Sequence, residues 1–181
     1  MMDHQEIMLV EATRKGDRIA LAALIDRYGE DLMGYLIFMV HRRAMAEDVF
    51  QDVWVKVMEK IRSFRGGSEF APWLFRIARN RAYDLLRRKR EVLHERLEDL
   101  PQAATCPDPA EALGRSESVQ KVLAGMKDKQ REIIYLRFFK ELSYDELSKV
   151  LRLPMGTVKS RLKRALETFA ARYRTMVGEK S

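Results

Sequence analysis

Only one cysteine, Cys106, stands among 181 residues. One thiol excludes an internal disulfide framework and a cysteine-based structural zinc site, and it reads as a reduced side chain in a cytosolic protein. The three histidines, His4, His41 and His94, are scattered, and the sequence gives them no common site. Gly66-Gly67 is not followed by the Gly-Lys-Ser/Thr ending of a phosphate-binding loop, so nucleotide hydrolysis is not indicated. No catalytic residue, metal or cofactor is therefore expected. No apolar run reaches the roughly 20 residues that cross a bilayer, which argues against membrane insertion. The start, MMDHQEIMLVEATRKGD, places acids within and just after a short apolar run, unlike a signal peptide. Glycine and proline are sparse, at nine and five, and no segment alternates apolar with polar residues as a half-buried strand would. The chain reads as all-α.

What is present is positive charge. The formal net charge is +7 and the pI about 9.6, which favours a polyanionic partner, nucleic acid before membrane. The charge is concentrated. From Arg152 to Arg174 there are seven Lys/Arg and one acid, Glu167. This stretch follows a helix-turn-helix pattern. Ser143 and Glu146 have capping-box spacing, with Leu142 and Leu147 at the hydrophobic-staple positions around them. Pro154 and Gly156 punctuate a turn, and a second helix is predicted from about Thr157. Val158, Leu162, Ala165, Leu166, Phe169 and Tyr173 mark its buried side. Thr157, Ser160, Arg161 and Arg164 share another face, with Lys159 and Lys163 beside them. A solvated surface helix would ordinarily mix signs to gain i,i+4 pairs. This one suits a major groove.

Toward the N-terminus, helical patterns follow one another from Ile7 to about Arg90. The pattern lapses from Glu91 to Ser118, where Pro101, Pro107 and Pro109 fall among seven acids and two arginines. Such a stretch is a poor core and a good linker. It resumes with Val119, Val122, Leu123 and Met126, then with a helix capped by Asp128 and carrying Ile133, Ile134, Leu136 and Phe138. The expected architecture is two small helical domains, 1–92 and 118–181, joined by an acidic proline-containing linker, 93–117, with the helix-turn-helix in the second.

Two helices of the first domain carry further signals. Around Ala46 to Ile61 an apolar stripe (Ala46, Val49, Phe50, Val53, Trp54, Val57, Met58, Ile61) backs a face with Asp48, Gln51, Asp52 and Val55. That face fits three readings: the wet side of a core helix, a carboxylate pair for metal or acid–base work, or a docking surface for a basic partner. After the loop Ser63 to Phe70, a helix is predicted from near Pro72, with Leu74, Ile77, Ala78 and Leu85 toward a core. Trp73, Arg76, Asn80, Tyr83 and Arg87 recur along one stripe. Arg62 to Arg90 holds nine Lys/Arg and two acids. Basic groups track phosphates, and exposed rings stack on unpaired bases at about 1–3 kcal/mol each. Trp73 and Tyr83 as core residues are the alternative.

Three blocks, AEDVFQDVW (46–54), FAPWLFRIARNRAYDLLRR (70–88) and LSYDELSKVLRLPMGTVKSRLKRA (142–165), together resemble a bacterial RNA polymerase sigma factor of the extracytoplasmic-function (ECF) type. They follow that family's order and spacing over roughly Asp17 to Tyr173. The resemblance implies that Asp48, Gln51, Asp52 and Val55 contact the β′ clamp helices of core polymerase, with the second domain near the β flap. It implies that Phe64 and Arg65 in the 63–70 loop, with Trp73, Arg76, Arg79, Asn80, Tyr83 and Arg87, read and open the −10 element, capturing a flipped non-template base. Thr157, Lys159, Ser160, Arg161, Lys163 and Arg164 would engage the −35 element. It further implies a cytoplasmic transcription-initiation factor, not an enzyme, for a stress response and held by an anti-sigma factor. The linker would run near the RNA exit path. Departures are Arg152 and Glu141, where the family often has Gly, and Gly125-Met126, where Leu-Pro is common. A left-handed backbone at Arg152 would cost on the order of 1 kcal/mol. A stand-alone helix-turn-helix regulator is the alternative, and it leaves 46–54 and 70–88 unexplained. A nucleic-acid-processing enzyme would need a His or carboxylate cluster that the sequence does not supply.

Overall fold

A computed structural model describes residues 3–64, 69–95 and 117–178; side chains are described within these bounds except at 90–95, 117 and 178. All regular structure among the described residues is helical. The chain divides into two compact units, Met1–Pro107 and Asp108–Ser181, and the division falls in the acidic stretch, outside the described residues.

Unit 1 contains α1 (His4–Arg14), α2 (Arg18–Val40), α3 (Arg43–Lys60), a 3-10 turn (Ile61–Ser63) and α4 (Phe70–Glu95). Asp3 caps α1 by accepting from the Glu6 N–H at 2.7 Å, and Asp17 caps α2 through the N–H groups of Ile19 and Ala20. These caps satisfy first-turn donors that have no helical acceptor. Helix α2 is the central element. Leu24, Leu32, Leu36 and Met39 on it are fully buried, and it packs on α1, α3 and α4. Helix α1 is pinned to α2 by polar contacts as well. Tyr28 donates to Glu6 Oε1 at 2.6 Å, and Arg27 pairs with Asp3. Burial, then the Glu6 contact, pushes the Tyr28 hydroxyl well above its ordinary pKa. The Glu6 N–H, then Arg27, holds the Asp3 carboxyl below its ordinary value. The α3 stripe is buried at Ala46, Val49, Val53, Trp54, Val57 and Ile61. Phe50 is half-buried and Met58 is 50% exposed, because the stripe is wider than the surface that α2 and α4 cover. Helix α4 starts at Phe70, before Pro72, and continues to Glu95. The helix thus outlasts the apolar pattern that lapses at Glu91 and overlaps the expected start of the linker at 93.

Unit 2 contains α5 (Glu117–Ala124), α6 (Asp128–Phe138), α7 (Tyr144–Leu151) and α8 (Met155–Gly178). Its core includes Val122, Leu123, Met126, Ile133, Ile134, Tyr135, Leu136, Leu147, Val150, Val158, Leu162 and Ala165. Asp128 is the first residue of α6 and not its cap. The cap position is Lys127, with no side-chain capping bond, while Asp128 accepts from buried Arg131 at 3.4 Å. Phe138 and Leu166, expected in the core, are 43% and 37% exposed; each lies at the edge of its apolar face. Helix α8 begins two residues before Thr157. Gly125 makes room for a neighbour: a β-carbon there would meet Arg172 Nη1 at 2.8 Å.

Candidate nucleic-acid and polymerase interface

The helix-turn-helix is built as its residues dictate. Ser143 Oγ accepts from the Glu146 N–H at 3.2 Å, and the Glu146 carboxylate accepts from the Ser143 N–H at 2.7 Å, so both halves of the capping box form. The staple residues Leu142 and Leu147 are both buried. The turn then solves the problem posed by its missing glycine. Arg152 adopts φ 54°, ψ 50°, the left-handed region, and its N–H reaches the Ser148 carbonyl. Leu153 N–H also donates to that carbonyl at 3.2 Å, while Ser148 Oγ donates to the Leu153 carbonyl at 2.6 Å. Ser148 therefore ties both ends of the turn, a role with no sequence signal beyond Ser three residues before a helix end. Glu141, the other glycine departure, is likewise left-handed at φ 54°. Both residues thus hold the left-handed backbone that glycine adopts without strain.

Helix α8 buries Val158, Leu162 and Ala165 and turns Lys159, Ser160, Arg161, Lys163 and Arg164 outward as exposed residues, with Thr157 half-buried at its start. Phe169 and Tyr173 stack on each other at 6.0 Å between ring centroids and are half-buried. Arg161 and Arg164 have no ion-pair partner among the described residues, and Lys163 approaches Glu167 only at 4.0 Å.

On α3, Asp48, Gln51 and Asp52 are exposed and Val55 is 47% exposed. The neighbouring acids are committed: Glu47 accepts from Arg43 at 3.0 Å, and Glu59 from Lys56, which holds its carboxyl below the ordinary value. Asp48 and Asp52 pair with no cation among the described residues. A carboxylate pair left free beside an exposed valine is suited to receive a basic, partly apolar partner.

The aromatic residues near the 63–70 loop form one cluster. Phe64 and Phe70 lie 5.8 Å apart, Phe64 and Trp73 5.1 Å, Phe70 and Trp73 5.5 Å, and Tyr28 meets Phe70 at 5.4 Å. Phe64 is 2% exposed and Phe70 fully buried. The Phe64 ring thus packs inward against Phe70 and Trp73. Arg65 lies outside the described residues. Trp73 is half-buried. Further along α4, Asn80 and Arg87 are exposed while Arg76, Arg79 and Tyr83 are half-buried. The Arg79 guanidinium lies 4.7 Å from the Tyr83 ring centre, and Arg87 meets Asp84 at 3.6 Å. These residues lie along one side of α4 and bring cations, an amide and half-buried rings together.

Two residues absent from the sequence-based set, Tyr144 and Arg137, belong to the basic surface of unit 2. Tyr144, at the start of α7, carries the Arg137 guanidinium at 5.6 Å and the Lys159 ammonium at 5.7 Å from its ring centre. Among the described residues no group of three His, Cys, Asp or Glu is placed to hold a metal ion, and no helix is long and apolar enough to cross a membrane.

A helix-turn-helix with a clear basic face, and a second helical unit combining an acidic patch with a basic-aromatic helix, define a DNA-binding transcription protein that also meets a protein partner. Residues 24–92 match Sigma-70 region 2 and residues 110–169 match Sigma-70, region 4. The RNA polymerase sigma-H factor of Pseudomonas aeruginosa is 32% identical over 92% of this chain and 93% of its own length. The ECF RNA polymerase sigma-E factor of Escherichia coli is 32% identical over 88% and 90%. The solved structure of the sigma factor RpoE with the anti-sigma factor NepR from Bartonella quintana is similar with a TM-score of 0.71 at 28% identity, covering 84% of this chain and 96% of that one. The chain belongs to the ECF family of RNA polymerase sigma factors. It directs RNA polymerase to promoters, and both matched regions take part, so the stand-alone regulator reading, which leaves unit 1 idle, is not favoured.

Proposed function

We propose that unit 1 docks on core polymerase through Asp48, Gln51, Asp52 and Val55, meeting the β′ clamp helices, while the outward face of α4 and the 63–70 loop engage the −10 element. Unit 2, held near the β flap, reads the −35 element with Thr157, Lys159, Ser160, Arg161, Lys163 and Arg164. Two DNA sites of modest individual affinity become effective when the polymerase fixes their separation, because the second contact then forms at a high local concentration. The chain acts in the cytoplasm as a dissociable specificity subunit without chemistry of its own. The 93–117 segment serves as the tether near the RNA exit path. The complex of the related RpoE with NepR supports an anti-sigma factor as a further partner.

The observation that carries this division of labour is the segregation of charge in unit 1. Asp48 and Asp52, with no cation partner among the described residues, sit on α3 and the basic-aromatic stripe on α4, so one helix of the unit offers a face to a basic protein and another to phosphates. The test is the double charge reversal Asp48→Lys with Asp52→Lys. Its affinity for core polymerase falls by about tenfold or more, as expected when charges at an interface meet like charges. The free protein's binding to single-stranded −10 DNA stays unchanged. Unaltered binding to core polymerase would overturn the docking assignment.

A further inference from the structure

The sequence separates Tyr144 from Lys159 by a whole turn and from Arg137 by the end of another helix, yet both cations come to its ring. We infer that Tyr144 is a positioning residue for −35 recognition: its ring fixes the direction of Lys159 on the reading face, with Arg137 as the second cation on the same ring. The inference rests on the assignment of Lys159 to the −35 surface.

Three observations support it. The distances, 5.6 Å to Arg137 and 5.7 Å to Lys159, lie within the range where an aromatic quadrupole attracts a cation. Lys159 is exposed and has no carboxylate partner among the described residues, so the ring is the group that restricts its long side chain. Arg137 is itself anchored, because its Nη1 donates to the Leu142 carbonyl at 3.3 Å, just ahead of the capping box that fixes the start of α7. Tyr144 occupies the first position of α7, so the capping box sets where the ring sits and the ring sets where Lys159 points. Two like charges gathered at one exposed ring are unfavourable for the isolated protein by simple repulsion, and a phosphate backbone would relieve that repulsion on binding.

The test uses full-length protein. In the free protein, the Lys159 ε-methylene protons are expected upfield in the NMR spectrum from the ring current of Tyr144, and Tyr144→Leu returns them to ordinary positions. With core polymerase, on a −35-dependent promoter, Tyr144→Leu and Lys159→Ala each lower open-complex formation by about two- to fivefold, the scale of an exposed cation–π contact. The double variant is no worse than either alone, as for two groups acting as one unit. Tyr144→Phe keeps the ring and stays near the parent protein. Additive losses, or a Phe variant as impaired as the Leu variant, would overturn the inference; the latter would place the function in the hydroxyl. If Lys159→Ala leaves promoter use intact while the upfield shift remains in the parent protein, the −35 assignment of Lys159 fails and the positioning role falls with it, although the ring contact stands. Tyr144 is 37% exposed, so the Leu variant folds, which a thermal melt verifies.

Discussion

Helices α4 and α8 carry the two positive faces of the protein, and they present their charge differently. On α4 the cations are partly fixed: Arg79 on the Tyr83 ring, Arg87 beside Asp84, and Lys89 with its Nζ 2.8 Å from the Met45 sulfur. On α8, Arg161 and Arg164 extend into solvent without an ion-pair partner among the described residues, and only Lys159 is restrained by a ring. Fixed cations give up less side-chain entropy on binding and suit a ligand whose shape the protein imposes, such as a strand drawn out of its duplex. Mobile cations adjust to a regular phosphate backbone and depend more on salt. Equal signs of charge therefore serve different tasks, and the surroundings of each guanidinium decide which.

The largest test of this comparison removes the floor beneath α4. Phe70→Ala deletes a fully buried ring at the centre of the aromatic cluster and lowers the stability of unit 1 by about 3–5 kcal/mol. Both tryptophans, Trp54 and Trp73, lie in unit 1, so denaturant unfolding followed by tryptophan fluorescence reports on that unit alone. A loss below about 1 kcal/mol would mean that the cluster is not the support described.

The contrast in cations is sharpened by salt. Replacing Arg161 and Arg164 together with Ala reduces the slope of log affinity against log salt for promoter DNA by about one for each phosphate left without its cation. Arg79→Ala changes that slope less than a single α8 arginine does, because its guanidinium already rests on Tyr83. Titrating polymerase-bound protein against labelled promoter DNA at several salt concentrations measures both. Equal slope changes per arginine would remove the distinction between the helices.

The smallest effect concerns the turn that aims α8. Arg152→Gly relieves a left-handed non-glycine backbone and stabilises unit 2 by about 1 kcal/mol, seen as a higher melting temperature by far-ultraviolet circular dichroism. An unchanged or lower melting temperature would show that the Ser148 bonds have absorbed the strain.

Much of this could be read from residue order, and the failures share one cause. The capping box at Ser143, the staple at Leu142 and Leu147, the α3 face from Asp48 to Val55 and the outward cations of α8 all follow from spacing along one helix. Phe138, Leu166 and Met58 have apolar character but lie at the edges of their faces, and periodicity does not reveal how wide a surface the neighbouring helices cover. Asp128 has a capping side chain one position too late. The Tyr144 ring contacts and the ties from Glu6 to Tyr28 and from Ser148 to Leu153 join residues that only the folded chain brings together, so no local pattern announces them.

Gly125 shows how such a long-range contact governs change over generations. Its missing side chain is occupied by the tip of Arg172, 2.8 Å from where a methyl group would stand. A flexible guanidinium can swing aside, so neither residue is frozen, but the order of substitution matters. A shorter residue at 172 frees the space first and makes a larger one at 125 harmless, whereas the reverse order must first dislodge a cation from the surface of α5. Among descendants of this chain, the two positions should drift as a pair.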